Sequence, residues 1–236
     1  MNTIRSMVVG NGMIARRFSD FDDRDDVLIF ASGVSNSKEN RPAEFAREQK
    51  LVEESIAWSE NRLFIYFSTC SVTDPTEQGS LYVRHKLFLE TYIAENCAHY
   101  LIIRASNVVG GTENPHTVLN FFVNRIRNQE PFDVWQGASR NLIDVDDVYR
   151  IVTDYIARGP NDWNQIINVA NPYSVRPLEI VQAIETHLGV TARYRLIDKG
   201  EPFAIDTTKS KAVLHNKLTE LQPNRYLPYL LQKYYV

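Results

Sequence analysis

Short apolar runs alternate with longer amphipathic stretches along most of this chain. Ile4 to Val9, Val27-Leu28-Ile29-Phe30-Ala31, Leu63-Phe64-Ile65-Tyr66-Phe67, Tyr100-Leu101-Ile102-Ile103-Arg104 and Gln165 to Ala170 read as strands. They are apolar nearly throughout rather than alternating, the pattern of strands buried on both faces. Pro42 to Glu60 carries Phe45, Leu51, Val52, Ile56 and Trp58 as the apolar side of a helix. Further helices are predicted over Leu81 to Asn96, around Val118, Leu119, Phe122, Val123 and Ile126, and over Leu178 to Leu188. Between Gln136 and Val148 a short strand and a helix start are expected, with Asp146 as a candidate N-cap, and a tail runs from Asp206. Strands and helices in alternation predict an α/β fold: a doubly wound parallel sheet with helices on both faces and a small interleaved C-terminal lobe.

The first strand leads into Gly10-Asn11-Gly12-Met13-Ile14-Ala15 and a helix start. In this order, backbone N–H groups at a helix N-terminus can receive a pyrophosphate. Gly10 permits the tight turn, Gly12 lets a ligand approach the backbone, and Ala15 allows close helix–strand contact. The same pattern also occurs in ordinary turns. Only eight residues, Ser19 to Asp26, precede the next strand, whereas a βαβ unit takes about 30. The second and third strands of an ordinary dinucleotide fold therefore have no room, and the strand-end acid that holds the adenosine ribose goes with them. The sheet is expected to be trimmed at its N-terminal edge, with its first strand at or near the border. Asp20, Asp22, Asp23, Asp25 and Asp26 read as a solvated loop, and Ala31-Ser32-Gly33-Val34-Ser35-Asn36-Ser37 as a small, polar strand end suited to close approach by a ligand.

The densest chemistry lies between Phe67 and Glu90. An apolar strand ends in Ser68 and Thr69, passes a Pro/Gly turn and enters a helix carrying Tyr82 and Lys86, four residues apart and so on one face. A tyrosine normally keeps its proton to about pH 10, but an ammonium beside it stabilises the phenolate. Thr69 could hydrogen-bond the same substrate oxygen. An isolated Tyr-x-x-x-Lys pair is more often two surface residues, so the surroundings decide.

Composition narrows the field without choosing. At 236 residues, 44% hydrophobic and 23% charged, the chain is long enough for a good core and ordinary for a globular protein. A net charge of -3 makes no general case for nucleic acid or an anionic membrane. Cys70 and Cys97 form neither a disulfide framework nor a metal-ligand spacing, so no metal is expected and a reducing, cytoplasmic setting is the simplest expectation. No signal peptide and no apolar run near the ~20 residues of a membrane span are evident.

The pieces and their order resemble the extended short-chain dehydrogenase/reductases, the NAD(P)-dependent nucleotide-sugar epimerase/dehydratase family, in a shortened form. The matching segments are Gly10-x-Gly12-x-x-Ala15, Leu28-Ile29-Phe30-Ala31, Ser68-Thr69, Tyr82-x-x-x-Lys86 with Glu90, and Arg104-Ala105-Ser106-Asn107-Val108-Val109-Gly110. Arg140-x-x-Ile143-x-Val145-x-Asp147-Val148 and Asp206-Thr207-Thr208-Lys209-Ser210-Lys211-Ala212 continue the series. The resemblance implies a Rossmann-like sheet and NAD or NADP as cofactor, held by Gly10, Asn11, Gly12, Met13, Ile14, Ala31, Ser32, Gly33, Ser68, Tyr82 and Lys86. It makes Tyr82 the general acid-base, with Lys86 lowering its pKa and binding the nicotinamide ribose, and Thr69 orienting the reacting oxygen. Ser71, Asn107, His116, Arg140 and Lys199 would face a nucleotide-sugar, with Arg140 on its diphosphate, where a guanidinium's fork suits paired oxygens.

The departures shape the expected function. Family dehydratases place an Asp-Glu pair directly after the hydroxyl residue; here those positions are Cys70 and Ser71, which argues against 4,6-dehydration. The family's reductases that also epimerise use a Cys and a His as extra acid-base groups; Ser71 aligns with that cysteine, Cys70 lies one place off, and His116 could serve as the histidine. Residues 1–110 are expected to form mainly the dinucleotide-binding part of a single domain, and residues 111–236 mainly a substrate lobe that returns at least one strand to the sheet. The expected function is a keto-sugar reductase or epimerase, serving for example polysaccharide biosynthesis, and a homodimer through the Tyr-Lys helix and the one before it. The alternative is a relative that senses dinucleotide or sugar nucleotide without turnover. His85 is expected to point away from the site.

Overall fold

The computed structural model describes residues 6–236, so the opening of the expected first strand, Ile4 and Arg5, lies outside the described residues. The first half of the chain runs β1 (Val8–Val9), α1 (Met13–Arg17), β2 (Val27–Phe30), α2 (Pro42–Ser59), β3 (Leu63–Thr69), α3 (Leu81–Asn96), β4 (His99–Ala105) and β5 (Asn107–Val109). The second half runs α4 (Val118–Arg127), β6 (Phe132–Trp135), β7 (Leu142–Asp144), α5 (Val145–Arg158), β8 (Gln165–Val169), α6 (Pro177–Leu188), β9 (Tyr194–Ile197), α7 (Thr208–Val213) and α8 (Pro223–Tyr234).

The main sheet has the order β1-β2-β3-β4-β8, with every pair parallel. β1 occupies the border, where its partner is β2, and Val8 and Val9 register with Ile29 and Phe30. Two-residue β1 thus lies where an untrimmed dinucleotide fold would continue outward. At the other border β8 returns from the later part of the chain. Two smaller parallel pairs, β5-β7 and β6-β9, escaped the apolar pattern because each strand is only three or four residues long.

The strands bury both faces, as continuous apolar runs require. Leu28, Phe30, Phe64, Tyr66 and Ile102 point to one side and pack with Val52 of α2 and Leu89 and Ile93 of α3. Val27, Ile29, Leu63, Ile65, Phe67, Leu101 and Ile103 point to the other, where Ala15 of α1, Val148 and Val152 of α5, and residues of α4, α6 and α8 cover them. Each such fully buried aliphatic or aromatic side chain contributes about 1.5–3 kcal/mol over its exposed state.

Two local expectations change. The N-cap of α5 is Asp144, not Asp146: β7 runs directly into the helix, and the Asp144 carboxylate accepts the Asp146 backbone N–H at 2.8 Å. The acidic loop is partly tied down. Asp22 accepts the Val8 N–H at 3.2 Å, Asp20 takes the Tyr149 hydroxyl at 2.5 Å, and Asp26 pairs with Arg24 at 2.5 Å.

Candidate active site

Thr69, at the end of β3, and Tyr82, in the first turn of α3, meet at the C-terminal end of the main sheet. The helix starts there because Ser80 caps it, its hydroxyl accepting the Val83 N–H at 3.4 Å, after a loop of Asp, Thr, Glu and Gly residues. Tyr82 is 8% exposed and Thr69 9%. Lys86, one turn on, dips beneath Tyr82 into the layer between β3 and the helices, with its ammonium 5.8 Å from the Tyr82 ring centre.

What holds Lys86 there is a residue the motifs did not mark. Glu48 of α2 is fully buried, and its carboxylate accepts from Lys86 Nζ at 2.8 Å, the Tyr66 hydroxyl at 2.7 Å and the Val34 N–H at 2.7 Å. His85 Nε2 is 3.1 Å from its other side, so His85 joins the cluster rather than pointing away; its ring also lies 4.8 Å from that of Phe45. A lysine ammonium has three N–H donors. Those of Lys86 go to Glu48, to the Tyr66 hydroxyl at 3.0 Å and to the Phe67 carbonyl at 3.4 Å. The sequence did carry a signal. Phe45, Glu48 and Val52 fall at i, i+3 and i+7, which puts a carboxylate on the apolar stripe of α2.

The electrostatics follow from this burial. Burial by itself would push Glu48 upward, but the Lys86 charge and the bonds from His85, Lys86 and Val34 bring it down to about 2. Tyr82 ends above its ordinary value rather than below it. Burial raises it most, Lys86 and the Thr69 hydroxyl lower it, and Glu48 raises it again. Tyr66 is pushed well above the ordinary tyrosine value, first by burial and then by Glu48.

The other expected residues fall into two groups. Ser68 turns inward, donating to Glu90 at 2.5 Å, while Arg104 grips Glu90 at 2.6 and 3.0 Å. Ser71 is half-buried, and its N–H bonds the Thr69 hydroxyl at 3.1 Å. Cys70 donates to the Arg104 carbonyl at 3.0 Å, and burial raises its thiol to about 12, leaving it inert at neutral pH. Asn107 donates from both backbone and side chain to the Asn141 carbonyl at 3.0 Å. Arg140 pairs through its backbone with Val175 at 2.8 Å, and its guanidinium meets the Ser139 carbonyl at 2.7 Å. Burial lowers the guanidinium's pKa while Asp74 and Glu77 of the loop before α3 raise it. His116 and Lys199 are exposed. Among the described residues, none of Asn107, His116, Arg140 and Lys199 hydrogen-bonds to Thr69, Tyr82 or Lys86.

The two stretches expected to hold a dinucleotide differ. The glycine turn leaves room for a diphosphate. Gly10 adopts φ 131°, and a Cβ there would lie 2.5 Å from the Ala31 carbonyl oxygen, so only glycine closes the turn on β2. Above Gly12 nothing lies within 4 Å of where a Cβ would be, which leaves the backbone open to a ligand. Arg16 braces the turn through the carbonyls of Asn11 at 3.0 Å and Gly111 at 2.8 Å; Met13 packs against Gly110, and Ile14 against the core. At the ribose end, Lys86 has its three donors engaged. Ser32 is held by Arg47 at 3.3 Å, and a Cβ on Gly33 would strike Lys86 Nζ at 2.7 Å and Glu48 at 2.8 Å.

Comparison with known proteins agrees with this architecture. Residues 13–170 match the model of the NAD dependent epimerase/dehydratase family. A UDP-galactose 4-epimerase superposes with a TM-score of 0.67 at 18% identity, covering 88% of this chain and 78% of that one. A variant of the UDP-glucuronic acid 4-epimerase from Bacillus cereus, in complex with a fluorinated UDP-glucuronic acid and NAD, gives 0.64 at 17% identity, covering 93% and 86%. RMD from Pseudomonas aeruginosa, complexed with NADPH, gives 0.67 at 14% identity, covering 96% and 88%. At such identities the likeness is one of fold. No curated protein matches the chain by sequence. With two thirds of its length inside the family's pattern, and glycine turn, strand-end Thr69 and Tyr82-Lys86 helix converging at one end of the sheet, the chain belongs to the NAD dependent epimerase/dehydratase family.

Proposed function

We propose that this chain is an NAD(P)-dependent keto-sugar reductase or epimerase acting on a nucleotide-activated sugar, with Tyr82 as the group that exchanges a proton with the sugar oxygen. The observation that carries this reading is the buried meeting of Thr69 and Tyr82 beside an open glycine turn at the same end of the sheet. A bound dinucleotide would supply the hydride chemistry, with its diphosphate on Gly10 to Ile14. Tyr82 then holds or gives the proton at its phenolic oxygen, and Thr69 orients the substrate oxygen toward it. Arg140 is the choice for the substrate's diphosphate, since its guanidinium is half-buried and offers paired donors. Asn107, Ser71, His116 and Lys199 are assigned to the same substrate. Cys70 in place of an acid keeps 4,6-dehydration out of the reading.

Two copies are expected to pair through α2 and α3, since Leu87 and Phe88 of α3 are 39% and 48% exposed. A monomer by light scattering would remove that part.

The test is a calorimetric titration with NADH and with NADPH, beside a Gly12→Asp control, then a turnover screen of sugar nucleotides with Tyr82→Phe as the inactive reference. Binding that the control loses, followed by turnover that Tyr82→Phe loses, supports the enzyme. Binding without turnover supports the second reading, a sensor, which the fully engaged Lys86 and the trimmed sheet edge favour. A folded protein that binds neither dinucleotide overturns the enzyme and the dinucleotide sensor, and leaves only a sensor of sugar nucleotide.

A further inference from the structure

Of the charged groups at this site, Glu48 has no place in the proposed chemistry, yet it is the most deeply enclosed. It reaches in from α2, while His85, Lys86 and Tyr82 come from α3, and Tyr66 and the Phe67 carbonyl from β3. The loop after β2 closes the cluster through the Val34 N–H, and a Cβ at Gly33 above it would lie 2.7 Å from Lys86 Nζ and 2.8 Å from Glu48. Beyond Tyr66, the next charged pair is Glu90 with Arg104. A carboxylate with four polar neighbours and no solvent contact is a built feature, because burying it unpaired is strongly unfavourable.

The consequence falls on Tyr82. The ammonium that would stabilise a phenolate is shared with a carboxylate 2.8 Å away, whose charge acts on the phenol with the opposite sign. Lys86 is thus both turned from the ligand side and electrostatically answered.

We propose that Glu48 is a positioning residue of this site: by taking the Lys86 ammonium into a buried ion pair it withholds from Tyr82 the cation that would stabilise its phenolate, so that Tyr82 rests as a neutral phenol with a proton to give and is not poised to take one. In that transfer the Tyr82 O–H bond breaks and an O–H bond forms on the ligand oxygen, the hydride for the carbonyl carbon being what a reduced dinucleotide would supply, and the phenolate left behind regains its proton from solvent before the next cycle. A carbonyl oxygen gaining a proton suits such a group; an alcohol losing one does not. The inference rests on Tyr82 being the proton-handling group, and within the proposed function it selects the reduction of a keto group over a reaction that begins by oxidising an alcohol.

The experiment is a pH titration by NMR of protein labelled at tyrosine Cζ, with the Tyr82 signal assigned by its absence in Tyr82→Phe. Neither dinucleotide nor sugar is needed, so a chain that binds neither can still show the coupling, and its failure is separate from failure of the enzymatic reading. In Glu48→Gln the Tyr82 midpoint should fall by about one pH unit or more, a tenfold gain in acidity. In Glu48→Gln/Lys86→Met, which removes both charges and spares the fold an unpaired one, it should stay within about one unit of the unmodified protein. An unmoved midpoint in folded Glu48→Gln overturns the proposal. So does a rise well beyond one unit in the double variant, since Lys86 would then have been acting on Tyr82 unopposed.

Discussion

Two buried carboxylate clusters of this molecule use the same partners to different ends. At the start of α5, Asp144 and Asp147 are 0% and 1% exposed and are met by Lys233 of α8 and by Lys217, at 2.7 and 2.5 Å. Those lysine side chains remain 28% and 34% exposed, running their stems over the surface while solvent reaches their heads. Tyr226 and Tyr234 complete the shell, the first donating to Asp147 and accepting the Asp144 N–H, the second donating to Asp144. This cluster fastens the C-terminal helix to the sheet domain. At Glu48 the lysine side chain is itself only 2% exposed and lies under the candidate acid-base group. An ion pair desolvated at both ends is a poor way to gain stability, because the loss of hydration can exceed the Coulombic gain. One cluster is a fastening and the other a setting of charge.

Breaking the two clusters should separate them clearly. The largest effect is expected from Lys86→Met, which leaves Glu48 buried without its cation and should lower unfolding stability by about 3–5 kcal/mol. Glu48→Gln/Lys86→Met should recover most of that loss, as measured by denaturant melts of the three proteins. If the double variant were as unstable as the single, the pair would be fastening the fold after all.

The acid limb gives the next effect. Glu48 is held at about 2 in the folded chain against an ordinary 4.5. A depressed folded value means that its contribution is complete above the unfolded value and is lost as pH falls from there toward about 2. Thermal melts from neutral pH into this window should therefore show a destabilisation that is smaller in the Glu48→Gln/Lys86→Met protein. Parallel acid limbs would assign the loss to other carboxylates.

Much of this frame was legible in the sequence because it depends on local pattern. β2, β3 and β4 are built on apolar runs, α3 has the predicted bounds, and the eight residues Ser19 to Asp26 reported the trimmed edge by their count alone. The Tyr82–Lys86 spacing likewise fixed their shared helix face. What could not be read was which groups across the layer would meet that face. Lys86 and Glu48 are 38 residues apart, and their meeting depends on how α2 and α3 lie side by side on β3. The sign of the Tyr82 shift was missed for the same reason: the local rule counts the lysine four residues away, while burial and a carboxylate from another helix outweigh it. His85 went astray with Glu48, its partner.

The smallest effect is expected from Lys233→Met, and it sharpens the contrast most. Asp144 would lose a cation at 2.7 Å but keep the Asp146 N–H and the Tyr234 hydroxyl, both at 2.8 Å. The lysine it loses is partly in water, where an ion pair contributes on the order of 1 kcal/mol or less. Denaturant melts of Lys233→Met should show a loss of that order, several-fold below Lys86→Met. A loss as large as that of Lys86→Met would mean that Asp144 depends on its lysine as Glu48 does. Solvent access to the cation would then not be what distinguishes a fastening from a site.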